Sequence, residues 1–288
     1  MNKNFRSKAI IILAAAILAT GASACGVSTD KGTSSKSAVA ATTTAPAATT
    51  PAPTTTTTAS GELNPKVAPG GNFDLSGWQL QLPIGSTGSM KQINGNDLKG
   101  ANGYTDTYFY TDKTDGAMTL MDPTIGITSS GSLHCRTELK EATIGGWSTN
   151  GTNILAVTAA VTQVPHNVCI GQIFQATGPS KPLCELQYKN DGTISLLLEK
   201  TNQGGSTTST NIGSVPLGTK FKYELSLTGT TITVTINGTA TEFTMPSTFV
   251  GETFYFKAGD YDQTATSGTP GTTPGTVVKI YSLDVTHK

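Results

Sequence analysis

The chain has 288 residues with 19 basic and 19 acidic side chains, and taking away Lys3, Arg6 and Lys8 of an N-terminal leader leaves 16 basic against 19 acidic, a net charge of −3. That balance excludes the broad positive potential that nucleic-acid binding needs, so an anionic partner must be met by a local cluster of cations. About 225 residues follow the leader and a linker, enough for one large core and typical of a single all-β domain.

Residues 1–24 combine that basic start with an apolar run from Ala9 to Ala19 and a small-residue ending, Ala22-Ser23-Ala24. The pattern predicts a secretory signal peptide and an extracellular protein. The apolar run is shorter than the roughly 20 residues a membrane span needs. Cys25 sits where a bacterial lipoprotein carries its lipid, which makes it a candidate anchor to the cell surface, although Ala22 stands where such signals usually have Leu. From Lys31 to Ser60 the chain is almost entirely Thr, Ala, Ser and Pro, which cannot offset its ordering entropy, so 25–62 is expected to be a disordered linker and 63–288 the folded domain.

Within that domain, period-two alternation or β-rich runs between turn residues predict strands at Trp78–Leu82, Ile154–Val161, Thr193–Leu198 and Tyr223–Leu227. Thr231–Met245 reads as a hairpin whose Asn237-Gly238 pair suits a type I′ turn. The expected architecture is all-β, a jelly-roll sandwich of two antiparallel sheets with a groove for a long polymer on one curved outer face. Cys169 and Cys184 bracket a hairpin and are a candidate disulfide in an oxidising compartment. A metal site is the weaker reading of the cysteines, since no paired Cys or His spacing appears.

Three strands are chemically loaded. In His134–Lys140, alternation places His134, Arg136, Glu138 and Lys140 on one face, opposite Leu133, Cys135, Thr137 and Leu139. This is either a salt-bridge ladder or, if it lines a groove, a site where Arg136 grips a carboxylate through its guanidinium fork. In Cys169–Gln175, Gln172 and Phe174 share a face. In Tyr255–Gln263, alternation puts Tyr255, Lys257, Gly259, Tyr261 and Gln263 on one side and Phe254, Phe256 and Ala258 on the other. There Gly259 leaves room for close approach, and a nearby ammonium favours the Tyr261 phenolate. Thr264–Gly275, just after this strand, is either an exposed connection or a candidate lid.

Arg136-Thr-Glu-Leu, Gly171-Gln-Ile and Tyr255-Phe-Lys-Ala-Gly-Asp-Tyr-Asp-Gln263 resemble the three signature strands of polysaccharide lyase family 7, the alginate lyases, and Trp78-Gln-Leu-Gln-Leu-Pro83 resembles its opening strand. The resemblance spans nearly all of residues 70–288 in the right order. It implies a β-jelly-roll enzyme that needs no metal or other cofactor. Its partner would be an anionic polysaccharide such as alginate, polymannuronate or glucuronan, and a monomer is expected. By the same resemblance Arg136 and Gln172 neutralise the carboxylate beside the reacting carbon, Tyr261 is the catalytic tyrosine, and Lys257 contacts substrate; Lys140, Glu138, Phe174 and Gln263, which share the faces of these residues, are further candidate substrate contacts. The C5 proton of a uronate becomes removable only when its carboxylate is neutralised. A base then takes it while an acid protonates the departing O4, leaving a 4,5-unsaturated sugar.

Two departures from the family pattern matter. Lys140 replaces an Arg, and Phe174 stands where a catalytic His is found, which leaves the base unassigned. His134, two residues before Arg136, is the expected replacement; otherwise Tyr261 serves as both base and acid. Two rival readings stay open: a glycoside hydrolase, which needs two carboxylates about 5–10 Å apart, and a non-catalytic carbohydrate-binding sandwich.

Overall fold

A computed structural model describes residues 62–288; the leader, Cys25 and nearly all of the linker lie outside the described residues. Two large antiparallel sheets face each other. One has eight strands in the order Thr207–Ser214, Thr193–Glu199, Pro182–Lys189, Asn167–Gln175, Phe254–Asp262, Thr137–Glu141, Trp78–Ser86, Ser89–Asn94. The other has seven: Thr239–Thr244, Thr231–Ile236, Phe221–Thr228, Thr152–Gln163, Pro274–His287, Met118–Pro123, Phe109–Thr111. Strands far apart in sequence therefore lie side by side, and Phe254–Asp262 sits between Asn167–Gln175 and Thr137–Glu141. This is the expected jelly-roll.

Alternation decides what each strand buries. Trp78, Leu80, Leu139, Ile173, Phe254 and Phe256 of the eight-stranded sheet meet Leu155, Val157, Leu225, Val234 and Ile280 of its partner in one core. Each fully buried aromatic or aliphatic side chain there contributes about 1.5–3 kcal/mol. The residues between them, Gln81, Lys140, Gln172, Lys257 and Tyr261, line a cleft on the opposite face of the sheet. At the expected hairpin, Asn237 (φ 48°) and Gly238 (φ 86°) are both left-handed, as a type I′ turn requires.

Four expectations are corrected. The strand expected from His134 starts only at Thr137, and Leu133 is 81% exposed rather than buried beside Cys135 and Leu139. Cys135, Cys169 and Cys184 are free thiols. Cys184 is registered with Ile173 and lies in the core, whereas Cys169 is registered with Tyr261, whose side chain lines the cleft. The two sulfurs thus sit on opposite faces of the sheet, and no disulfide can join them.

Gly259 does not serve the groove. The strand bulges between Ala258 and Tyr261, Gly259 adopts φ +143°, and a Cβ there would point inward, 2.8 Å from Leu120 Cδ2 and 3.0 Å from the Thr137 carbonyl. Finally, Thr264–Gly275 is tied down. Thr266–Ser267 pairs in parallel with Ile125–Gly126, Gly268 and Gly271 donate backbone hydrogen bonds to Gly126 and Ile125, and Tyr108 Oη donates to the Gly271 carbonyl. It braces the loop that enters the Thr137–Glu141 strand.

Candidate active site

The eight-stranded sheet carries a cleft of about 510 Å³, floored by its central strands and rimmed by Ser129–Ser132 on one side and Ser180–Pro182 on the other. Its electrostatic centre is Glu138, which is fully buried. Glu138 accepts from Arg136 Nη1 at 2.8 Å and Lys257 Nζ at 2.9 Å, and also from Gln172 Nε2. The ladder expected along one strand is therefore a junction across three, with Lys257 rather than Lys140 as the second cation. The register explains it: Gln172, Lys257 and Lys140 lie opposite one another on adjacent strands, with Glu138 one pleat along.

Burial alone would raise the Glu138 carboxyl, but the Lys257 and Arg136 charges outweigh it and hold the group below the usual carboxylate range. Lys257 moves the other way. Burial and the Arg136 charge lower it to about 8, against the pull of Glu138. Lys257 also donates to Gln81 Oε1 at 3.1 Å.

Tyr261 meets Arg136, not the Lys257 ammonium expected beside it. The guanidinium carbon lies 3.7 Å from the Tyr261 ring centroid. The phenol is 2.8 Å from Ser132 Oγ, which also accepts from Arg136 Nη2 at 3.0 Å. Burial raises the Tyr261 phenol, while Arg136 and the Ser132 bond oppose the rise.

The other expected residues are distributed unevenly. Phe174 stacks on Tyr255 at 5.3 Å, with Lys257 Nζ 4.9 Å from its ring and Lys140 Nζ 4.7 Å from that of Tyr255, so this part of the cleft is an aromatic wall under two ammonium groups. Gln263 bonds to the Tyr261 carbonyl and to Gln187, and does not line the cleft. Nor does His134, whose Nδ1 is 2.7 Å from the Ala265 carbonyl and whose ring is 6.3 Å from that of Tyr261. A carbonyl only accepts, so Nδ1 carries a proton. Among the described residues no group of three or more His, Cys, Asp or Glu is placed to hold a metal ion.

Sequence reasoning missed Gln81, Ser132 and Glu185 as cleft residues. Gln81 was legible, since it alternates with the core residues Leu80 and Leu82. Glu185 alternates in the same way with Cys184 and Leu186, and burial raises its carboxyl. Ser132 lies in a loop, where no periodicity points to it.

A β-jelly-roll with a polar cleft holding Arg, Lys, Gln and a buried Tyr on its outer face defines the class, a polysaccharide lyase of the jelly-roll type. The chain belongs to the alginate lyase family, polysaccharide lyase family 7, whose model, described as alginate lyase, matches residues 73–287. An alginate lyase of Klebsiella pneumoniae is 26% identical over 76% of this chain and 91% of its own length. Among solved structures, alginate lyase A1-II′, a member of polysaccharide lyase family 7, is 32% identical with a TM-score of 0.66, covering 77% of this chain and 99% of its own. An alginate lyase from Pseudomonas aeruginosa is 26% identical with a TM-score of 0.65, covering 75% and 100%. Variants of A1-II′ have been solved with a product, GGG, and with a substrate, GGMG.

Proposed function

We propose that this enzyme cleaves alginate or a related polyuronate by β-elimination, releasing 4,5-unsaturated oligosaccharides. The observation that carries the reading is the Tyr261 phenol held against the Arg136 guanidinium in a cleft that also presents Lys257 and Lys140. Elimination needs that pairing, a proton-exchanging group beside a cation that stabilises the enolate-like dianion. Two buried atoms of the cleft residues, Arg136 Nε and Gln172 Oε1, have no hydrogen-bond partner. A buried polar atom left unpaired costs about 1–3 kcal/mol, so both residues keep polar capacity at the cleft that the fold itself does not use.

Tyr261 exchanges protons with the substrate in this reading, protonating O4 and, because Phe174 brings no imidazole, also taking the C5 proton. A second reading, in which His134 is the base, is favoured by its place beside Tyr261 and by the Ala265 carbonyl that holds Nδ1, which leaves Nε2 as the nitrogen a substrate proton would meet. The wall of the cleft without His134 favours Tyr261. His134→Ala separates them, turnover within about threefold of wild type excluding the imidazole.

The test of the reading as a whole is ultraviolet absorbance of the unsaturated product from polymannuronate, polyguluronate and glucuronan. Tyr261→Phe should abolish it while polymer binding persists. Product without ultraviolet absorbance would mean hydrolysis, and binding without product in wild type would mean a binding module. The leader and Cys25 support export with a candidate lipid anchor, which the mass of the mature protein checks.

A further inference from the structure

Ser132 Oγ does not touch Glu138 and is a second meeting point of three groups, sharing Arg136 with the Glu138 junction. It lies 2.8 Å from Tyr261 Oη, 3.0 Å from Arg136 Nη2 and 2.9 Å from the His134 carbonyl oxygen. A hydroxyl has one proton to give and two lone pairs to accept with. The carbonyl can only accept and the guanidinium can only donate. With the Ser132 proton on the His134 carbonyl, its oxygen accepts from both Arg136 and the neutral Tyr261 O–H, and every position is filled.

That arrangement cannot survive ionisation of Tyr261. A phenolate has no proton to donate, and two oxygens 2.8 Å apart without a hydrogen between them repel. The Ser132 O–H can turn from the carbonyl to the phenolate, trading a neutral acceptor for a charged one, which is the stronger bond. Arg136 keeps donating to Ser132 Oγ in both states and so fixes the pivot.

We propose that Ser132 is a positioning residue for proton transfer, its hydroxyl accepting from neutral Tyr261 and turning to donate to the phenolate that forms when Tyr261 hands its proton to O4. No proton leaves Ser132. The Tyr261 O–H bond breaks, an O4–H bond forms, and the Ser132 proton changes only its acceptor, from the His134 carbonyl to the phenolate oxygen. If Tyr261 also takes the C5 proton, the same phenolate is the starting form and Ser132 donates to it before the reaction. The inference rests on the assignment of Tyr261 proposed above.

The experiment compares Ser132→Ala and Ser132→Thr with wild type and Tyr261→Phe. Removing a hydrogen bond to a charged group should lower kcat of Ser132→Ala about 10- to 100-fold, with KM changed by about twofold or less. The limb of the kcat–pH profile that reports Tyr261 should move to higher pH, and Ser132→Thr, which keeps the hydroxyl, should restore both. Ultraviolet titration of phenolate, with Tyr261→Phe identifying the Tyr261 contribution, should show the same upward move without any substrate. A Ser132→Ala enzyme with a wild-type phenolate titration and an unmoved pH limb would overturn the proposal even if turnover fell, because a merely structural defect gives that pattern. Full turnover in Tyr261→Phe would instead overturn the assignment of Tyr261.

Discussion

Glu138→Gln is the most informative single change, because it keeps the shape of the side chain and removes the charge on which three groups converge. The two carboxylate oxygens accept from Arg136, Lys257 and Gln172. An amide in their place must turn its NH₂ toward at least one of these donors. Removing one partner of a buried ion pair costs about 3–5 kcal/mol, which in a domain of this size lowers Tm by about 6–15 °C.

The cost should depend on pH, through Lys257. In wild type its ammonium titrates at about 8, with Glu138 supplying the main upward pull. Without the carboxylate the two largest influences, burial and Arg136, both act downward, so the amine becomes neutral at lower pH. A lysine whose folded pKa is depressed binds fewer protons folded than unfolded, so stability rises with pH above the folded value, by about 1.4 kcal/mol per pH unit. That gain begins at about 8 in wild type and earlier in the variant. Denaturant midpoints at pH 6, 7, 8 and 9 should therefore show the largest deficit at pH 6 and a smaller, constant one above 8. A deficit below about 1 kcal/mol at pH 6, or one equal at pH 6 and pH 8, would refute the three-way junction.

Glu185→Gln removes a carboxylate from a cleft that must hold a polyanion, and because burial raises the wild-type group, the effect grows as pH rises and that group ionises; KM for polyuronate should fall about two- to tenfold at pH 8 and less at pH 5, and an unchanged KM at both would place Glu185 away from bound polymer. Gly259→Ala forces a side chain onto φ +143° and against Leu120, and should cost about 2–4 kcal/mol in denaturant unfolding, whereas a loss under 1 kcal/mol would mean that the bulge relaxes. Asp122 and Asp260 are buried close together, and burial pushes both carboxyls well above the usual range, helped by repulsion from Asp260 at Asp122 and from Asp262 at Asp260. A raised carboxyl contributes stability that is fully present below its unfolded pKa of about 3.8 and is lost as pH climbs through the folded value. Asp122→Asn should therefore gain in Tm relative to wild type from pH 4 to pH 7, and a constant difference across that range would show that the pair does not take up a proton.

How much was legible from sequence differs from residue to residue. Tyr255 and Lys257 could be placed on the cleft face, and Phe254 and Phe256 in the core, because a strand's period of two holds along any stretch without a bulge, whereas Tyr261, beyond the bulge, was identified by the family motif rather than by alternation. Gly259 failed the same rule because the bulge after Ala258 resets the alternation, and a bulge depends on the partner strand. Asn237-Gly238 was secure because its turn is set by local backbone energetics.

The sequence by itself determined the strands, their two faces and the family motifs, since these rest on local periodicity and residue chemistry. Only the tertiary structure decided the partners. It set Lys257 on Glu138, Arg136 against Tyr261, Ser132 between them, and Cys169 and Cys184 on opposite faces. The physical reason is that strand order and register bring together residues more than a hundred positions apart, and the free energy that selects them comes from burying the whole core, which no short stretch of sequence contains.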